Sequence, residues 1–369
     1  MPVKVVLAPD SFKGSITAAD AATALAEGWA SIESGAEFVL RPMADGGEGT
    51  VGAFEAAVAG ATRMPVSVDG PAGIPVDTSW LLLPATADAP AGTAVVDLAS
   101  TSGIELLEEL RPWDADTSGF GQAVAAALDH GVSRLILGIG SSASTDGGTG
   151  LLTSLGARFL DAGGAPVAPG ARGLADIASV DLSGLRPAPD VRVLTDVTNP
   201  LTGPRGAAAV FGPQKGLVSG DLAAVDAGLG RLAALLGLDA SHPGAGAAGG
   251  TGAALVAWGA TLAPGAVEVA QLIGMAEAVA DADVVITGEG SYDGQSGDGK
   301  VPSYIAGLAS ESGVPAMLAA GRITADADTT LFAASTSLTE LAGSSAAALA
   351  EPARWLRDAG ATLARAAAS

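Results

Sequence analysis

Four lysines serve the 369 residues of this chain, beside fourteen arginines, and three of the four stand in glycine-flanked segments. Lys13 lies in Pro9-Asp10-Ser11-Phe12-Lys13-Gly14-Ser15 and Lys215 in Phe211-Gly212-Pro213-Gln214-Lys215-Gly216. Lys300 closes Gly294-Gln295-Ser296-Gly297-Asp298-Gly299-Lys300. An ammonium is a compact charge with three donors, suited to phosphate or carboxylate. Neighbouring glycine lets backbone N–H groups approach the same anion. A second set of chemical groups is acidic: Asp10, Asp45, Glu48, Glu289 and Asp293, each in a polar, glycine-bearing segment, and Asp196 in Thr195-Asp196-Val197-Thr198-Asn199-Pro200. Carboxylates near anion-binding lysines suit a magnesium–phosphate site, since Mg²⁺ takes one or two carboxylates plus phosphate oxygens and waters. Phosphoryl transfer asks for little more than charge neutralisation, alignment and an aspartate to take the alcohol proton. Singly, each acid also fits a turn or a helix cap; for Asp20 and Asp221, which fit helix starts, capping is the reading.

Composition removes other chemistries. There is no cysteine, hence no disulfide, thiol nucleophile or Cys-ligated zinc, and the two histidines, His130 and His242, are far apart. A net charge of −22 argues against nucleic-acid and anionic-membrane surfaces. An anionic ligand would then need a locally positive place, which gives the loop lysines their weight. No uncharged apolar run reaches the length of a membrane span. The N-terminus enters a strand without a basic-then-apolar signal. A small-molecule partner and a cytoplasmic location are expected.

The elements that must position these residues alternate in an α/β rhythm. Strands are predicted at Val3–Ala8, Phe38–Arg41, Thr93–Leu98, Arg134–Leu137, Val191–Leu194, Val284–Thr287, Pro315–Ala319 and Leu331–Ala334, with one terminal helix over Ser344–Ala367. Val66–Asp69 and Val76–Leu83, around Gly70-Pro71-Ala72-Gly73, predict an antiparallel hairpin. That break suggests an insertion: residues 1–58 plus 265–369 as one parallel-sheet domain, and 59–264 as a second, mixed-sheet α/β domain. Ligands of parallel sheets collect at the carboxyl ends of strands, where the acidic segments fall. Two glycine patterns keep other readings open. Gly138-Ile139-Gly140-Ser141-Ser142-Ala143 follows a strand as a dinucleotide loop would, which leaves an NAD(P)-dependent hydroxy-acid dehydrogenase as an alternative. Gly294 to Lys300 has P-loop glycine spacing, but Val301 stands where a Mg²⁺-binding hydroxyl is needed.

Taken in order, several blocks resemble the type I glycerate kinase family: Ala8-Pro9-Asp10-Ser11-Phe12-Lys13-Gly14-Ser15, Ala44-Asp45-Gly46-Gly47-Glu48-Gly49-Thr50 and Gly138 through Gly148. Further blocks are Asp196-Val197-Thr198-Asn199-Pro200-Leu201, Phe211 through Gly216, Gly244 through Gly250, and Ile286 through Asp293 with Gln295 and Gly299-Lys300-Val301-Pro302. The resemblance implies ATP-dependent phosphorylation of D-glycerate, at the 2-hydroxyl with the 3-hydroxyl as alternative, aided by Mg²⁺. It implies a Rossmann-like parallel-sheet domain interrupted by the inserted domain, with the site in the cleft, in a monomer or homodimer. On this basis Lys13, Lys215 and Lys300 divide between nucleotide phosphates and the glycerate carboxylate. Asp196 orients the attacking hydroxyl, with Asp45 or Asp293 as alternatives, and Glu289 and Asp293 hold Mg²⁺. Asp10, Ser11, Gly46, Gly47, Glu48, Ser141, Ser142, Asp146, Asn199, Gln214, Gly249 and Gly250 complete the substrate and nucleotide contacts. The chain departs from the family pattern where Ser141, Ser144 and Thr145 replace a usual glycine, threonine and asparagine. Ser291 stands where arginine is common, with Arg205 or Arg322 as substitutes. A non-catalytic acidic binding module is the third reading.

Overall fold

The computed structural model describes residues 2–294 and 300–368. It divides into two compact units: Met1–Asp45, Gly52–Ala59 and Pro264–Ser369 form one, and Gly46–Val51 with Gly60–Ala263 the other. Gln295 and Gly299, quoted above, lie outside the described residues.

The first unit is built on a five-stranded, all-parallel sheet in the order Ala334–Ser337, Ala316–Ile323, Val284–Tyr292, Lys4–Pro9, Glu37–Leu40. Strands covered on both faces read as continuous apolar runs, and Val5, Val6, Leu7 and Ala8 are all fully buried. Helices Ala18–Ala30 and Pro352–Ala367 pack so closely that a Cβ on Gly28 would meet Arg357 O at 1.9 Å, and one on Gly360 would meet Leu25 O at 2.2 Å. Thr17 caps the first of these helices by accepting from Asp20 N at 3.1 Å; Asp20 accepts the Thr17 hydroxyl in return and sits in the first turn. From Lys4–Pro9 the chain moves outward to Glu37–Leu40, whereas from Val284–Tyr292 it moves the other way. The carboxyl ends of those two central strands thus form a topological switch point, where open α/β sheets bind ligands.

The second unit carries a six-stranded mixed sheet in the order Thr261–Ala263, Asp190–Leu194, Arg134–Gly138, Thr93–Asp97, Pro75–Leu83, Thr62–Asp69. The first four are parallel, and the last two form the expected antiparallel hairpin. Phe120, Leu135, Leu137, Leu229 and Trp80 pack in its core. A two-stranded sheet, Arg158–Leu160 with Ser179–Asp181, was not signalled by the sequence.

Three expectations change. The strand predicted to end at Thr287 continues to Tyr292, pairing Glu289 with Ala320 and Ser291 with Arg322. The last strand of that sheet lies at Ala334–Ser337 rather than Leu331–Ala334, because Leu331 is still an exposed turn residue. The terminal helix is two, Ser345–Ala350 and Pro352–Ala367, since Pro352 has no N–H to continue the ladder and Glu351 takes φ −136°. Among the described residues no helix is long and apolar enough to cross a membrane.

Candidate active site

The switch point of the first unit opens into a cavity of about 520 Å³, inside the range of small-molecule sites. Asp10 and Ser11 leave the first strand at its floor, and a tight turn follows. Phe12 N donates to Ile16 O at 3.0 Å, Ser15 N donates to Phe12 O at 2.9 Å, and Gly14 takes φ +69°. Buried Phe12 anchors this turn and leaves Lys13 exposed at its tip. The neighbouring strand supplies Glu289, Gly290 and Ser291, and Asp293 and Lys300 follow it. The extension of that strand depends on close backbone approach: a Cβ on Gly288 would lie 2.0 Å from Ala319 O, and one on Gly321 2.3 Å from Gly290 O. Seven predicted site residues line this one cavity: Asp10, Ser11, Lys13, Asp45, Glu289, Asp293 and Lys300.

Its electrostatics are crowded. Three cations, Lys13, Lys300 and Arg322, face four carboxylates, Asp10, Asp45, Glu289 and Asp293. Lys300 Nζ lies 4.0 Å from Asp293 Oδ1. Burial, then the negative charge of Asp45, push the Asp10 carboxyl up to about 8; the Ser11 N–H and Lys13 pull the other way, and Glu289 adds to the rise. Ser11 N donates to Asp10 Oδ1 at 2.6 Å. Among the described residues no group of three or more acidic or histidine side chains is arranged to hold a metal by itself. The donor chemistry nevertheless fits Mg²⁺, which completes its shell with phosphate oxygens and water, and mutually repelling carboxylates are what a divalent cation relieves.

The remaining predicted residues belong to the second unit. Lys215 is a correction to the picture of three loop lysines. It is only 2% exposed, and its Nζ donates to Ser142 Oγ and Ser144 O, both at 2.6 Å. Burial holds its amine down at about 7, with Asp146 opposing. An ammonium so enclosed braces two loops rather than presenting itself to phosphate. Asp146 is also corrected. Fully buried, it accepts from Thr117 N, the Thr117 hydroxyl and Gly150 N on one oxygen, and from the Ser144 hydroxyl and Gly148 N on the other. That carboxylate is saturated by its own fold and has no capacity left for a ligand. Gly249 and Gly250 pack on the same loop: Gly147 N donates to Gly249 O at 3.0 Å, and a Cβ on Gly250 would touch Gly147 Cα at 2.8 Å. Ser141 (φ +59°) and Ala248 (φ +52°), the non-glycine residues with positive φ among those described, lie in these two loops. Such strain concentrates at functional sites.

Gly46 and Gly47 lie against strand ends of this unit. A Cβ on Gly46 would sit 2.3 Å from Leu194 O, and one on Gly140 would sit 2.4 Å from Gly47 Cα. Packing explains the glycines at positions 46 and 140. Asp196 is exposed just beyond Asp190–Leu194, and Asn199 Nδ2 donates to Arg205 O at 2.8 Å, closing the loop that follows. Glu48 and Gln214 are exposed.

Comparison with known proteins supplies the family. The model of the glycerate kinase family matches residues 5–368. The chain belongs to the glycerate kinase family. It is therefore a kinase by class, acting on an alcohol. It is 41% identical over 337 residues to the glycerate kinase of Bacillus subtilis (strain 168), covering 88% of this chain and 87% of that one. It is likewise 41% identical over 335 residues to the glycerate 2-kinase of Escherichia coli (strain K12), covering 88% and 86%. A crystal structure assigned as glycerate kinase 2 from Salmonella typhimurium LT2 superposes with a TM-score of 0.84 at 37% identity, over 100% of this chain and 99% of that one.

Within this family member, Arg322 is the arginine that meets Ser291: its Nε donates to Ser291 Oγ at 2.9 Å, and it lines the cavity. Arg205 is in the other unit. The cavity also has lining residues that sequence reasoning missed, notably Leu338, Thr339, Ser345, Ala348 and Leu349. They fall in or next to the stretch read as one featureless terminal helix, and only Pro352 signalled that the stretch is broken.

Proposed function

We propose that this chain transfers the terminal phosphoryl group of ATP, bound with Mg²⁺, to the 2-hydroxyl of D-glycerate. The observation that carries the reading is the switch-point cavity of the first unit, where Lys13, Lys300 and Arg322 stand among four carboxylates. The cations neutralise a polyphosphate, and Glu289 and Asp293 would hold Mg²⁺ together with its phosphate oxygens. The metal supplies charge neutralisation at the transferring group. Asp10, with its carboxyl raised to about 8, is mostly neutral at pH 7 and does not repel the incoming anion. Asp196 is proposed to take the proton of the attacking hydroxyl, with Asp45 the alternative. The alcohol oxygen bonds to the terminal phosphorus as the bond to the ADP oxygen breaks. Lys215 enters as a positioning residue for the Ser141–Asp146 loop. A cytoplasmic enzyme acting on small molecules is the corresponding expectation.

The dehydrogenase reading has no support from its loop, because Gly138 and Gly140 meet the backbone of Gly46 and Gly47 where a dinucleotide would need room. The test is ADP release with ATP, Mg²⁺ and D-glycerate, followed by ³¹P NMR of the product. A phosphate on C2 couples to one attached proton and one on C3 to two. A triplet would move the reaction to the 3-hydroxyl, and no ADP with any hydroxy acid would refute the kinase. Asp196→Asn should lose roughly 10²–10⁴-fold in kcat; a loss under about threefold removes it as the base and turns attention to Asp45.

A further inference from the structure

The cavity of the first unit is chemically mixed. Its lining holds Asp10, Lys13, Asp45, Glu289 and Lys300, and also Leu338, Ala348 and Leu349 with the hydroxyls of Thr339 and Ser345; Thr339 is tied to Gly321, on the strand next to the one that bears Glu289. The charged residues account for phosphates and a cation. Glycerate is small and polar throughout, and it has no use for an apolar wall. A nucleobase does: its faces are flat and poorly hydrated, while its edges and the attached sugar need hydrogen bonds.

We propose that the Leu338–Ala348–Leu349 wall is the seat of the donor nucleotide's base. The inference rests on the kinase reading and adds where the nucleoside lies. Leu338 and Ala348 are buried, at 2% and 6% exposure, and give a fixed backing. Leu349 is 61% exposed, a large apolar side chain left in water although it lines a cavity. A ligand face laid against it removes that apolar surface from solvent. The hydroxyls are ordered for a polar edge: Thr339 Oγ1 donates to Gly321 O at 2.8 Å and lies 3.4 Å from Ser345 Oγ. The Thr339 proton is thereby committed to a carbonyl, so Ser345 is the donor in the 3.4 Å contact and its oxygen is left to accept from the base edge or ribose. Continuity matters here. Gly321 and Arg322 line the same cavity between this wall and the strand bearing Glu289, so one nucleotide spans both.

The experiment compares two probes, ADP and inorganic tripolyphosphate, titrated calorimetrically in the presence of Mg²⁺ against wild type, Leu349→Asp and Leu349→Asn. Wild type should bind ADP, and Leu349→Asp should weaken it roughly tenfold or more, about what burial of an apolar side chain is worth. Tripolyphosphate affinity should stay within twofold. Leu349 is exposed, and circular dichroism checks that each variant folds; Leu349→Asn gives the same reading if the aspartate does not. Unchanged ADP affinity overturns the seat, as does equal weakening of both probes, which would place the effect at the phosphates. Failure of wild type to bind ADP overturns it too. The kinase reading is judged separately by wild-type ADP formation from ATP and D-glycerate, and it survives if only the seat fails.

Discussion

Lys215→Met tests whether a buried lysine in the second unit is held near neutrality. The substitution keeps the length of the stem and removes the amine that donates to Ser142 Oγ and Ser144 O. Burial lowers the native amine from 10.5 to about 7, whereas the unfolded chain keeps its proton up to 10.5. Between these values the unfolded state binds more protons, and stability therefore rises with pH. A full proton is worth about 1.36 kcal/mol per pH unit. Integrated from half-titration at pH 7 up to pH 9, wild type should gain about 2 kcal/mol on the variant. Below pH 6 both states carry the proton, and the difference between the two proteins should be flat. Deprotonation sacrifices neither hydrogen bond, because a neutral amine still has two N–H donors for its two acceptors. Loss of those bonds in Lys215→Met adds an offset that does not vary with pH. Urea unfolding of both proteins at pH 5.5, 6, 7, 8 and 9 measures the curve. A difference that stays constant from pH 7 to 9 would refute the reasoning, and would mean that the ammonium remains charged inside the fold.

Two further outcomes follow from the packing. Asp146→Asn replaces an oxygen that accepts N–H or O–H donors with an amide that donates to them, and should cost roughly 3 kcal/mol in urea unfolding whichever way the amide turns; a loss under about 1 kcal/mol would show that the loop is not organised by this carboxylate. Gly288→Ala drives a Cβ to 2.0 Å from Ala319 O between two paired strands, and it should destabilise the first unit by about 3 kcal/mol or more, seen as a lowered thermal midpoint.

Most strands of both units are legible because buried parallel strands announce themselves as short apolar runs, and the hairpin because Gly70-Pro71-Ala72-Gly73 separates two alternating ones; their order in the sheets is not. Glycine misled where it serves packing. Gly288 and Gly290 look like turn formers, and the strand was ended before them. In the fold both continue the strand: Gly288 lets Ala316–Ile323 approach without a Cβ in the way, and Gly290 passes beside the Phe12 backbone. Gly46 and Gly250, which the family resemblance implies as ligand contacts, are also points of close approach between backbones, as is Gly140. Asp146 shows the complementary gap: no local pattern says that Thr117, 29 residues earlier, will use up one of its oxygens. The apolar wall of the cavity is invisible because leucine and alanine in a helical tail carry no chemical signal until the fold sets them in the lining of a polar cavity.

The three lysines that opened the sequence share a neighbourhood of glycine and differ in everything that decides their chemistry. Lys13 is exposed at the tip of its turn and Lys300 half-buried, so both keep access to water and can exchange it for an anion. Lys215 is enclosed, and burial works against its charge. On the proposed reading, a protein of net charge −22 binding a polyphosphate relies on fewer cations than its sequence offers, and the deficit is met at Asp10. With that carboxyl raised to about 8, Asp10 is mostly neutral at pH 7 and adds little negative charge beside Lys13, Lys300 and Arg322. Burial that neutralises an acid thus does for an anion site what an added lysine would do, and it does so at the strand end where the sheet already directs the ligand.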